Sequence, residues 1–232
     1  MAQIFHPRSR VISKISIVLA VLLVAVLAGA ATEIFQSPYF THVDVPREQV
    51  VPFSHQHHVS GLGLNCIYCH TSVETSSFAG IPPTRTCMNC HSQIWTNAQL
   101  LEPVRASYKS GESLQWTRVN QLPDFVYFNH SIHVTKGVGC NTCHGPVDRM
   151  PLMYQQESLQ MEWCLGCHRD PGKNLRPRSE VFNMRYQQPT SANPVVVDGQ
   201  SYTDQIDLGT ALLKKYNVRS VKDITTCSTC HR

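Results

Sequence analysis

The residues best equipped for chemistry stand in five copies of one short pattern. They are Cys66-Ile67-Tyr68-Cys69-His70, Cys87-Met88-Asn89-Cys90-His91, Cys140-Asn141-Thr142-Cys143-His144, Cys164-Leu165-Gly166-Cys167-His168 and Cys227-Ser228-Thr229-Cys230-His231. Two cysteines three apart sit one helical turn from each other, so each can form a thioether to one vinyl group of the same porphyrin. The histidine that follows can then bind the iron from the proximal side. Zinc sites and thioredoxin-like pairs also use C-x-x-C, but neither requires histidine directly after the second cysteine. Histidine is 12 of 232 residues, so its chance placement after all five pairs has a probability on the order of 10⁻⁷. The expectation is five covalently attached c-type haems on all ten cysteines, with His70, His91, His144, His168 and His231 as proximal ligands.

Whether such a chain relays electrons or converts a substrate depends on the opposite axial position. A relay has it filled by protein, while a substrate site leaves it open. His6 falls ahead of the apolar segment, so six other histidines remain: His42, His55, His57, His58, His130 and His133. His55 and His58 are three apart, as are His130 and His133, and each pair can share a helical face and reach two haems. His42 and His57 read more simply as solvated side chains. Four candidates for five irons leave one position to be filled from elsewhere.

The elements that must hold these groups follow from the rest of the chain. Phe53-x-His55-x-x-His58-Val59 leads into Cys66, and Phe128-x-His130-x-x-His133-Val134 leads into Cys140. The offsets are 75 residues for the first histidine, 74 for the first cysteine pair and 77 for the second. This internal repeat gives a dihaem module over 53–120 and a trihaem module over 121–232. Residues 171–200 are rich in Pro, Asn, Gln and Arg and are expected as a surface loop. Asp207–Val218 is expected as a helix carrying Leu208, Leu212, Leu213 and Tyr216, packing over the fifth haem or, equally well, serving as a plain core helix. Long periodic segments are scarce elsewhere. The expected fold is mainly irregular with short α-helices and little sheet, the porphyrins supplying much of the apolar interior.

Ile15–Thr32 holds no charged residue. With Val11 and Ile12 the segment approaches the ~20 residues that span a bilayer. Arg8, Arg10 and Lys14 precede it, which places a tail over 1–10 in the cytoplasm, a transmembrane anchor over 11–34 and a linker over 35–52. A cleaved signal peptide is the competing reading, given Ala28-Gly29-Ala30-Ala31, but the apolar stretch exceeds the usual signal core of about 7–15 residues. The haem modules are then expected on the periplasmic side of the cytoplasmic membrane.

Charged residues are 16% of the chain, and the formal net charge is +4. Removing Arg8, Arg10 and Lys14 leaves +1 for the exported part, and five oxidised haems would shift it by roughly −5. Basicity therefore gives no support to nucleic-acid binding. No phosphate-binding loop, dinucleotide fingerprint or nucleophile–base arrangement is present.

The repeated F-x-H-x-x-H resembles the class III multihaem cytochromes, the tetrahaem c3 and trihaem c7 proteins. The resemblance implies that His55 serves the haem of Cys66/Cys69 and His58 that of Cys87/Cys90. It likewise implies His130 for Cys140/Cys143 and His133 for Cys164/Cys167. In the c7 pattern the last haem takes a histidine just upstream of the middle motif, where this chain has Met161; the resemblance therefore makes Met161 the axial thioether of the fifth haem, with Met150 and Met153 as rivals. A His/Met site would have a higher potential than its bis-His neighbours. All five irons would be six-coordinate, and the chain a conduit rather than an enzyme on its own.

The whole layout also resembles the pentahaem subunit of alternative complex III. The strings NCIYCH, AGIPPTRTCMNCH, LPDFVYFNHSIHV, GCNTCHGPVDRM, MEWCLGCHR and CSTCHR carry that likeness over nearly the whole chain. It implies three kinds of partner: an iron–sulfur subunit, quinol-binding integral membrane subunits and a monohaem cytochrome c subunit. Electrons from quinol would then pass toward a soluble carrier or terminal oxidase. The alternatives are a freestanding membrane multihaem quinol dehydrogenase and a multihaem reductase with one open iron.

Overall fold

The computed structural model describes residues 6–231. The first half of the expected tail (residues 1–5) and the last residue of the second module, Arg232, lie outside the described residues. The chain separates into two compact units, one ending at Val43 and one beginning at Asp44.

The first unit is α1 (Pro7–Gln36) followed by the short α2 (Pro38–Thr41). Pro7 opens α1, where its missing N–H costs nothing. Within Arg8–Gln36 an 18-residue stretch has a mean hydropathy of 2.8, and none of that stretch is buried in the protein. Its length and apolarity suffice to cross a bilayer. The helix runs two residues past the expected anchor, and α2 occupies part of the expected linker. Helical backbone continues there because nothing breaks it before Ser37, whose extended conformation (ψ 157°) ends α1.

The second unit is built from short pieces. A π-helical turn (Gln56–Gly61) precedes α3 (Cys66–Cys69), α4 (Thr84–His91) and α5 (Glu102–Ser110). After a long irregular connection come α6 (His130–Thr135), α7 (Cys140–His144) and α8 (Met161–Arg169). An antiparallel hairpin, β1 (Val195–Val197) with β2 (Gln200–Tyr202), turns at Asp198-Gly199. Both turn residues have positive φ (52° and 80°), as a tight hairpin turn demands. The unit closes with α9 (Gln205–Lys215), α10 (Val221–Ile224) and α11 (Cys227–Cys230).

The protein core is sparse. Its larger cluster is Leu175, Val197, Leu208, Leu212 and Tyr216, and a smaller one joins Val73, Val134 and Val181. One expectation is corrected here. Residues 171–200 are not merely a surface loop, because Leu175 and Val181 are nearly fully buried. Isolated apolar residues in a polar stretch carry no periodicity, so only the tertiary fold reveals them. The expected helix, within α9, turns its apolar face onto Leu175 and Val197, as a core helix does. It is pinned there by Gln205, whose Nε2 donates to the carbonyls of Gly172 and Leu175 at 2.9 Å each. Gly209 lets α9 approach the Gly172 carbonyl, which a Cβ would strike.

The two repeats exchange contacts instead of folding apart. Gln56 N–H donates to Met150 O (3.1 Å), and Ser60 Oγ donates to Asp148 O (2.5 Å). Reciprocally, His130 N–H donates to Ser77 O and Ser131 N–H to Ser76 O, each at 3.1 Å. Each histidine-bearing segment thus leans on the loop that follows the other repeat's first cysteine motif.

Candidate haem-ligating sites

All five cysteine motifs are helical, so each cysteine pair projects from one side of one turn. None of the ten cysteines is in a disulfide. Burial pushes the Cys140 and Cys143 thiols up to about 12, which disfavours the thiolates that zinc would require. Among the described residues no three His, Cys, Asp or Glu side chains converge as a metal cluster.

The histidines pair differently. The ring centroids of His58 and His91 are 6.3 Å apart, those of His130 and His144 6.2 Å, and those of His133 and His168 6.2 Å. An imidazole bound through nitrogen at about 2 Å has its centroid roughly 3 Å from the metal. Two imidazoles on opposite sides of one iron therefore stand about 6 Å apart. Three distal candidates meet the proximal histidine of the motif that the c3/c7 resemblance implies for each. His55 lies within electrostatic reach of His70 and also of His144, and its buried Nδ1 has no hydrogen-bond partner. The residues fit bis-imidazole haem.

The protonation state is set as well. Nδ1 of His58 faces Ser54 O (2.8 Å), that of His133 faces Asn129 O (2.7 Å), and that of His130 faces Ser77 O (2.9 Å). On the proximal side, Nδ1 of His70 faces Gly80 O (2.7 Å), His91 faces Ile94 O (3.3 Å), His168 faces Ile224 O (2.7 Å) and His231 faces Phe125 O (3.2 Å). A carbonyl only accepts, so Nδ1 holds the proton and Nε2 keeps the lone pair that binds iron. Burial, joined by the neighbouring His70, His58 and His144, lowers His55 to about 4. Burial, followed by His130 and His70, lowers His144 to about 4. His58 and His133 are also lowered, again by burial first. These imidazoles are neutral at physiological pH, as ligands must be.

The phenylalanine of each repeat is a positioning residue that the histidine pattern alone did not reveal. Phe53 stacks on His58 (4.3 Å, 22°) and meets His55 edge-on (4.9 Å, 85°). Phe128 does the same to His133 (4.5 Å, 24°) and His130 (4.8 Å, 89°). One ring thus orients two imidazoles roughly at right angles, so a three-residue spacing serves two differently inclined porphyrins. The repeat of phenylalanine two residues before the first histidine was the available signal.

The fifth motif is the exception. The ring beside His231 is Phe125, with centroids 5.7 Å apart. Met161 opens α8 with its side chain largely exposed (67%), whereas Met150 is 1% exposed and closed off by protein; Met153 is half-buried. His57 stacks on Trp95 (6.3 Å), and His42 caps α2 within the first unit.

Residues 126–232 match the family described as cytochrome c7 and related cytochrome c. The chain is also similar to the menaquinone reductase multiheme cytochrome c subunit of Nitratidesulfovibrio vulgaris strain Hildenborough. The two are 33% identical over 143 residues, covering 53% of this chain and 68% of the relative.

Proposed function

Since this chain belongs to the multihaem cytochrome c family, we propose that it is a membrane-anchored pentahaem relay serving a quinone-linked oxidoreductase. The observation that carries the reading is the set of three imidazole pairs 6.2–6.3 Å apart. Each haem would supply a one-electron Fe(III)/Fe(II) couple. The ten cysteines anchor the five groups. His70, His91, His144, His168 and His231 bind on the proximal side, and His55, His58, His130 and His133 close four distal positions. Met161 closes the fifth; its exposed side chain and the burial of Met150 favour it. The carbonyls that accept from Nδ1–H aim the imidazoles of His58, His70, His91, His130, His133, His168 and His231, and filled axial positions leave no iron for a substrate.

Pro7–Gln36 anchors the chain in the cytoplasmic membrane, and Arg8, Arg10 and Lys14 keep its start inside, with the haem unit on the periplasmic face. The partners are an iron–sulfur subunit, quinol-binding integral membrane subunits and a monohaem cytochrome c subunit, in the arrangement of alternative complex III. Electrons from quinol pass through the iron–sulfur clusters and this relay toward a soluble carrier or terminal oxidase. A second reading reverses the flow: the relative is named a menaquinone reductase, and a relay of haems conducts either way.

Purification from native membranes tests the proposal. The expected result is five haems retained after denaturation, low-spin spectra throughout, and co-purifying iron–sulfur and multi-span subunits. A chain isolated alone would point to a freestanding quinol dehydrogenase, and a high-spin signal to a reductase with one open iron.

A further inference from the structure

We propose that the five haem sites form one unbranched row in the spatial order second, first, third, fourth and fifth motif, with the Cys87/Cys90 and Cys227/Cys230 sites at its ends. This rests on the five-haem reading above and adds an order that differs from the order along the chain. Four junctions define it.

The first and second sites adjoin because His55 and His58 open the same π-helical turn, and because Asn89 Nδ2 donates to the Tyr68 hydroxyl at 3.1 Å. Those two side chains lie between the cysteines of their respective motifs. The first and third sites adjoin through the exchanged repeats. His130, which faces His144, also binds the Ser77 carbonyl with its Nδ1, in the loop after the first motif. The turn that carries His55 leans in return on Asp148 and Met150, in the loop after the third. The electrostatic neighbours agree: His55 feels both His70 and His144, and His144 feels His70. The third and fourth sites share α6, which presents His130 to His144 and His133 to His168. The fourth and fifth adjoin because His168 Nδ1 donates at 2.7 Å to Ile224 O, in α10 immediately ahead of α11.

Exposure marks the same two ends. Of the ten cysteines only Cys90 and Cys227 are exposed, one in the second motif and one in the fifth. A redox partner therefore has two places to dock, and every transit between them crosses the junction of the two repeats.

The test uses the full holoprotein with His58→Met and, separately, His55→Met. Both variants keep their thioethers, and methionine raises the potential of the chosen site. In a redox-poised EPR titration that site loses its ferric spin ahead of the bis-His sites, as the fifth site does in the unaltered protein, and its reduction removes spin coupling only from its own neighbours. The row expects one other ferric signal to change in His58→Met and two in His55→Met. Sites ordered as in the sequence give two and one, and that result overturns the row. Should a variant fail to assemble, pulsed-EPR distances in the unaltered protein give the same count of near neighbours: one for each end site, two for each interior site. If a variant's own signal does not move, or the unaltered protein carries fewer than five haems by mass, the ligand assignment falls, and the order with it.

Discussion

Replacing Phe128 with leucine separates the contribution of the ring from the volume it fills. The phenyl group touches two distal imidazoles, stacked on His133 and edge-on to His130, with centroids 4.5 and 4.8 Å away. Each aromatic contact of this kind contributes about 0.5–1.5 kcal/mol beyond area burial. At about 1.36 kcal/mol per decade, its loss raises the ratio of detached to bound imidazole roughly 2- to 13-fold at each of two irons. The reduced protein is then exposed to carbon monoxide, which binds only where a distal ligand has left. The expected outcome is faster and tighter binding at two haems of five, with the remaining three unchanged. Phe53→Leu should do the same to the other pair. Binding at one haem only, or at all five, would refute the claim that one ring positions two ligands.

Other expectations concern the fifth site, the core and a buried cation. Met161→Ala should create one carbon-monoxide-binding haem, and Met161→His should lower one of the five reduction potentials; five unmoved potentials would remove Met161 from the iron. Leu212→Ala should cost about 2–5 kcal/mol in denaturant unfolding, because Leu212 is fully buried in a small cluster. Gly209→Ala should lower the Tm while leaving the haem count at five, since the added carbon strikes the Gly172 backbone and touches no cysteine or histidine. Arg176 is 7% exposed, with its guanidinium against Gly139 at the start of α7 and over the Tyr186 ring. A buried positive charge favours the ferrous state, so Arg176→Met should lower one potential, measured by spectroelectrochemical titration.

The candidate sites were legible because their information is local. A cysteine pair with its histidine fits in one turn, and F-x-H-x-x-H keeps both imidazoles within one short element. The carbonyls that fix Nδ1 were not legible: Ile224 lies 56 residues from His168, and Phe125 lies 106 residues from His231. Backbone groups have no residue type, so no pattern announces them. The helix Gln205–Lys215 could be read from its apolar spacing. What it packs against could not, because Leu175 and Val197 are lone apolar positions among polar neighbours. The shortage of long amphipathic elements was itself informative, since a sequence that cannot fill its own interior must import one.

The exchange of contacts between the repeats also bears on how the protein is made. The turn bearing His55 and His58 has its supports at Asp148 and Met150, about ninety residues farther along. On the proposed topology the first motifs are exported well before those supports, and loops of such length close slowly. The early cysteines would then have to stay reduced and receptive while the remainder crosses the membrane. Maturation would then complete as one event near the end of synthesis, and a polypeptide cut between the repeats is expected to yield two unstable fragments, not two smaller working cytochromes.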